Sequence, residues 1–122
     1  MFDIKKEVPS LELCKKLKEL GFPQDGGGWY YYRYYYDNEF YIGLKEEIAW
    51  EENPEYYYAP TVRELGEWLP EEYEEFKLGE KFWVKDKRDY KYLVCDRKEV
   101  NARAKMLIWL IENGYVSFKK ES

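Results

Sequence analysis

Apolar positions recur at helical spacing in three stretches of the chain and alternate with polar positions in two others. In residues 1–9, Phe2 and Ile4 alternate with charge and predict an edge strand. Pro9-Ser10 opens the first helix, with Ser10 as its N-cap. Leu13, Cys14, Leu17 and Leu20 form an apolar face; Gly21 then stands at the C′ position, Phe22 packs back and Pro23 bars continuation. Lys15, Lys16 and Lys18 fall on the outer face and read as solvated partners of the helix dipole. Thr61-Val62-Arg63-Glu64 is a capping box that starts a second helix. Its buried side is Val62, Leu65, Trp68 and Leu69, and Pro70 ends it after about two turns. A third helix is signalled by Asp96 through Glu99 and stopped by Gly114. Val100, Ala104, Leu107, Ile108 and Ile111 make its core stripe, and Ala102, Met106, Trp109 and Leu110 widen it. A stripe this wide implies burial on two sides, by the sheet and by another helix or a second subunit. Tyr115, Val116 and Phe118 are expected to return as a short strand.

The strand signals are aromatic. From Gly28 to Leu44 the chain carries Trp29, Tyr30, Tyr31, Tyr32, Tyr34, Tyr35, Tyr36, Phe40 and Tyr41, residue types that favour strands. Asp37-Asn38 is the expected two-residue turn, which sets Tyr36 opposite Glu39, Tyr34 opposite Tyr41 and Arg33 opposite Ile42. Alternation then gives one face with Trp29, Tyr31, Arg33, Tyr35, Phe40, Ile42 and Leu44, and another with Tyr30, Tyr32, Tyr34, Tyr36, Glu39, Tyr41 and Gly43. Ile42 and Leu44 mark the first as the core face, although Arg33 argues the other way because a buried guanidinium needs a partner. The second face becomes a tyrosine ladder at the surface. Such a ladder has two readings. Tyrosine is a good strand former whose hydroxyl stays wet while its ring packs, and it is also a rigid, amphipathic contact residue for a partner or a base.

A second hairpin is expected from Lys81–Asp86 and Asp89–Cys95, with Phe82, Val84 and Leu93 on one face and Trp83, Tyr90, Tyr92 and Val94 on the other. Lys85, Lys87, Arg88 and Lys91 surround its turn. They read either as a strand edge that resists aggregation or as cations able to meet phosphate. Between the hairpins, residues 45–60 form an acidic connection with Ile48 and Trp50 as anchors and Tyr56-Tyr57-Tyr58 as a brief strand or packed loop. The elements read α-β-β-α-β-β-α: a single α+β domain over residues 1–122, with about three helices on an antiparallel sheet of two or more hairpins.

Charge sharpens this picture. The net charge of −5 conceals a neutral first segment (1–45), an acidic one of −10 (46–80) and a basic one of +5 (81–122). Overall acidity disfavours double-stranded DNA, whose binding runs on cationic charge. Glu71, Glu72, Glu74 and Glu75 crowd one short segment; paired carboxylates do acid–base work only where burial separates their pKa values, so a solvated acidic strip is expected, available to a basic partner. No apolar run is long enough to span a bilayer, the N-terminus lacks the apolar core of a signal peptide, and Cys14 and Cys95 read as buried free thiols of a reducing cytoplasm.

The chain contains no histidine. That removes the commonest general base, the usual nucleophile triads and His-containing zinc sites, and two cysteines do not make a Cys-rich one. The glycines of QDGGG (24–28) lack the Lys-Ser/Thr of a phosphate loop and precede a strand. No catalytic residues, metal or cofactor are indicated, and a non-enzymatic binding protein is expected. The candidate contacts are Tyr30, Tyr32, Tyr34, Tyr36 and Tyr41, with Arg33 and Arg88 for phosphate if the ligand is a nucleotide.

VPSLELCKKLKELGFPQ (8–24) followed by an aromatic strand, together with APTVRELGEWLP (59–70) and NARAKMLIWLIENG (101–114), resembles a widespread group of small phage and prophage proteins without assigned function. The resemblance implies a mobile-element origin, action inside a bacterial host cell and, by analogy, binding of a host protein or nucleotide, including inhibition of host defence. It carries over no site residue. A homodimer built on the wide last helix is a further expectation.

Overall fold

The computed structural model describes residues 3–69, 73–86 and 93–118. The order is α1 (Ile4–Glu7), α2 (Leu11–Glu19), β1 (Trp29–Arg33), β2 (Tyr41–Leu44), β3 (Glu55–Ala59), α3 (Val62–Trp68), β4 (Tyr73–Leu78), β5 (Lys81–Asp86), β6 (Leu93–Asp96) and α4 (Glu99–Glu112). Two 3-10 turns, Lys45–Glu47 and Trp50–Glu52, link β2 to β3. This is an α+β arrangement with all strand pairings antiparallel, but the hairpins belong to two separate sheets, ordered β2-β1-β3 and β4-β5-β6.

Local signals set the helix ends. The Ser10 hydroxyl accepts from Leu13 N at α2, and Thr61 and Glu64 form the reciprocal capping box at α3. Gly21, at φ 101°, takes the left-handed turn that ends α2. The expected edge strand at the start is instead the short helix α1, because Asp3 accepts from Lys5 N and caps it. At α4 the N-cap is Lys98, without a side-chain bond of its own; Asp96 accepts from Lys98 N at 2.9 Å instead. The expected strand at Tyr115–Phe118 does not form, although Phe118 is buried, edge-on to Phe22.

The second sheet leans on α4, which packs against β5, β6, α3 and α2, while the first sheet packs on α2 through β3. Val100, Ala104, Leu107 and Ile108 join Leu17, Phe22, Tyr30, Tyr58 and Leu65 in the main core. Ala102, Met106 and Leu110, on the other side of the helix, pack with Val84 and Val94. The second hairpin is three residues out of its expected register, since Val94 pairs with Val84 and Leu93 with Lys85, and an odd shift exchanges the faces. A third cluster, Val8, Cys14 and Ala59, covers the far face of the first sheet with Trp29, Tyr31, Ile42 and Tyr57.

The first sheet thus buries both faces. Tyr30, expected at the surface, is 1% exposed and Tyr32 is half-buried, because their face looks into the main core while Trp29 and Tyr31 face the third cluster. The aliphatic residues Ile42 and Leu44 misled here: a sheet carrying rings on both sides has two apolar faces to cover. Residues 56–58 form the strand β3, and Tyr56 and Tyr58 stand beside Tyr32 and Tyr30 in its register.

Candidate functional site

Beyond Arg33 the chain leaves the ladder. The last β1–β2 pair is Tyr32↔Tyr41, two residues short of the expected register, so residues 33–40 form a broad tip instead of a two-residue turn. Because the shift is even, each strand residue keeps its expected face. Arg33 sets the width: it pairs with Glu55 on β3, its Nη2 donating to Glu55 Oε1 at 2.9 Å, and its Nη1 donates to the Asp37 carbonyl at 3.2 Å. Its guanidinium also lies 5.7 Å from the centre of the Phe40 ring. Arg33 is a brace of the tip, its charge paired with Glu55.

Asp37 ties the tip from the other side. Its Oδ1 accepts from Glu39 N at 3.0 Å and its Oδ2 from the Tyr41 hydroxyl at 2.5 Å. The hydrogen bond from Tyr41 and that from the Glu39 amide hold the Asp37 carboxyl below its ordinary value, and the same bond pushes the Tyr41 phenol up to about 12. Ala49 N donates to the Tyr34 hydroxyl at 2.9 Å and so fastens the link between the 3-10 turns to the tip.

On this frame the rings form a continuous chain. Tyr41 lies 5.8 Å from Tyr32, Tyr32 is 5.5 Å from Tyr34, and Tyr34 stacks on Tyr36 at 5.5 Å with planes 11° apart. Tyr35 meets Tyr36 edge-on at 5.3 Å. Tyr35 is 80%, Tyr36 65% and Tyr41 41% exposed. Of the tyrosines singled out from the sequence, the structure brings Tyr32, Tyr34, Tyr36 and Tyr41 together and places Tyr30 in the core. Tyr30 is a post: its hydroxyl sits 2.9 Å and 2.6 Å from the carbonyl oxygens of Gln24 and Gly26. Tyr35, assigned from alternation to the core face, is the most exposed of these rings, because alternation ends with the strand at Arg33.

Three carboxylates lie by the ring chain: Glu39 near Tyr41, Glu47 near Tyr32 and Glu52 near Tyr36. Glu39, Glu46, Glu47, Glu51 and Glu52 are exposed, and among the described residues none of them forms an ion pair. Partial desolvation, followed by the charges of Glu52 and Asp37 and the neighbouring phenols, raises the Tyr36 pKa; partial desolvation, then Tyr34 and Glu47, raises that of Tyr32. A cleft of about 220 Å³ is lined by Gln24, Tyr30, Lys45, Trp50 and Tyr56. The adjoining acidic run 46–52 was the sequence signal for these carboxylates.

Of the other acidic candidates, the two described ones do not share a face. Glu74 and Glu75 lie on β4, where alternation sends them to opposite faces. Glu74 pairs with Lys85 across the ladder at 3.3 Å. Glu75 is half-buried and holds Arg103 at 2.7 Å; Arg103 also reaches Glu99 at 3.3 Å and the Val62 carbonyl at 3.1 Å. Glu71, Glu72 and Arg88 lie outside the described residues, as do Lys87, Tyr90, Lys91 and Tyr92.

Among the described residues no group of His, Cys, Asp and Glu is arranged to hold a metal ion, and no helix is long and apolar enough to cross a membrane. Compared with protein-family models, with curated proteins and with solved structures, the chain finds no match in any of the three.

Proposed function

We propose that the protein acts by binding, and that the tyrosine tip between β1 and β2 docks a protein partner. The observation that carries this is the exposed, braced run of rings Tyr34, Tyr35, Tyr36 and Tyr41. Rigid rings held by Arg33, Asp37 and the Ala49 amide give contact area at small entropic cost on association. A nucleotide fits this surface less well. Its phosphate would need the cation that Arg33 gives to Glu55, and it would meet the unpaired carboxylates instead. The resemblance to small phage and prophage proteins supports a setting in which the partner belongs to the host cell, including its defence machinery.

The test is affinity capture from bacterial lysate with immobilised wild-type protein and the variant Tyr35→Ala/Tyr36→Ala, whose fold is checked by circular dichroism. A discrete protein retained by the wild type and lost by the variant is the expected outcome. Equal retention by both would remove the tip from the function. A thermal stabilisation by a nucleotide, abolished in the same variant, would transfer the site to the nucleotide reading.

A further inference from the structure

Resting on that reading of the tip, we infer that the partner presents arginine side chains to it, held between tyrosine faces and glutamate carboxylates. Two independent features of the surface converge on a cation. The first is the rings. Tyr34 and Tyr36 lie nearly parallel, and Tyr36 is largely exposed, so the stack can be extended by one more flat group. A guanidinium is planar, weakly hydrated and attracted by the ring quadrupole, which suits it to that position better than an ammonium.

The second is the charge. Glu39 lies near Tyr41, Glu47 near Tyr32 and Glu52 near Tyr36, none of them with an ion-pair partner among the described residues. The nearby cations are differently placed: Arg33 is spent on Glu55, and Lys45 stands at the rim of the cleft beside Trp50. Glu47 Oε2 comes within 3.6 Å of a Cβ built on Gly43, the same position that lies 3.3 Å from the Tyr32 ring, so carboxylate and ring share one spot. A guanidinium reaching the exposed Glu47 carboxylate from solvent gains a charge-assisted bond beside the ring chain.

The sheet already uses this pairing on itself. Lys18 Nζ sits 3.9 Å from the centre of the Tyr56 ring and donates to the Tyr56 carbonyl at 2.7 Å; Lys15 covers Phe40 at 5.0 Å, and Arg33 covers the same ring. The internal cations occupy Phe40, Tyr56 and Tyr57, whereas no cation of the described residues covers Tyr34, Tyr35, Tyr36 or Tyr41.

The test uses synthetic peptides of equal length: one arginine-rich, one lysine-rich and one with glutamine at the same positions, titrated calorimetrically into the full chain. The arginine peptide is expected to bind tightest, to weaken about tenfold on moving from low to physiological salt, and to lose at least that much on Glu47→Gln/Glu51→Gln/Glu52→Gln. A charge-matched control, Glu19→Gln/Glu80→Gln/Glu112→Gln, is expected to keep its affinity. Equal binding of the glutamine peptide, or equal loss in the two triple variants, would overturn the inference, the latter by reducing it to net charge. The two proposals fail separately. If the captured protein needs Tyr35 and Tyr36 but ignores salt and the Glu47/Glu51/Glu52 substitutions, the docking tip stands and the cationic partner falls. If capture and peptide binding both survive Tyr35→Ala/Tyr36→Ala, the tip itself is wrong.

Discussion

Gly26 has no space for a side chain: a Cβ built there would lie 2.3 Å from Cζ of Tyr58. The Tyr58 ring is held in that place, because its hydroxyl donates to Glu64 and its amide to Gln24 Oε1. Gly26→Ala is therefore expected to destabilise the protein by about 1–3 kcal/mol, the range for overpacking, measured by urea unfolding. The glycine-rich turn was legible as a turn, but its purpose was not, because the ring that crowds it comes from a strand more than thirty positions away in sequence. The tyrosines divide in the same way. Burial pushes the phenols of Tyr30, Tyr31 and Tyr57 up to about 12, and that of Tyr58 higher. The hydrogen bond to Asp37 raises Tyr41. A raised phenol pKa favours the neutral form in the fold, so this contribution is whole below the ordinary value of 10.0 and is lost as pH climbs from there towards about 12. Ultraviolet titration is expected to show these five ionising late, and together with the loss of structure. Early ionisation of all fourteen tyrosines would contradict it.

At the scale of elements, the three longer helices were readable, while α1 and one strand were not. Ser10, the Thr61–Glu64 box and Gly114 act within a turn of their own position, and the sequence displays them directly. The strand β4 was hidden because YEEF reads as an acidic strip. Its charges make sense only with Lys85 opposite Glu74 and with Arg103, 28 residues beyond Glu75. Burial, and then the nearby Glu75 charge, raise the pKa of Glu99. Arg103→Ala leaves these two carboxylates facing each other without their cation. We expect a loss of about 1–3 kcal/mol at neutral pH, shrinking as acidification protonates Glu99 first; a loss that grows on acidification would refute this. Leu107→Ala removes a fully buried side chain of α4 and is expected to cost about 2–5 kcal/mol by the same denaturation assay. By contrast, Tyr35→Ala/Tyr36→Ala lies beyond the ladder and should change stability by no more than about 0.5 kcal/mol per site.

In the whole molecule, the pattern of helices and hairpins was enough to give the α+β class and the two-sided burial of α4. It was not enough to separate the two sheets. That separation is decided by which distant strand completes each hairpin, β3 for the first and β4 for the second, and such pairings leave no local mark. The exposed tip was half-legible: the rings were named, but the ladder was expected to be exposed along its length, where only its end is. The placing of α4 has one more consequence. Six strands of the described residues precede it in the chain; the second sheet packs on it, and Tyr30 and Tyr58 of the first share the core on its other side. On the ribosome, β5 and β6 therefore emerge before the helix they pack against exists, whereas the first sheet meets α2, already made. Until α4 has left the exit tunnel the nascent sheets hold uncovered tyrosines and valines, a form prone to aggregation and suited to a chaperone. The fold closes late, when α4 arrives on the second sheet and on α2.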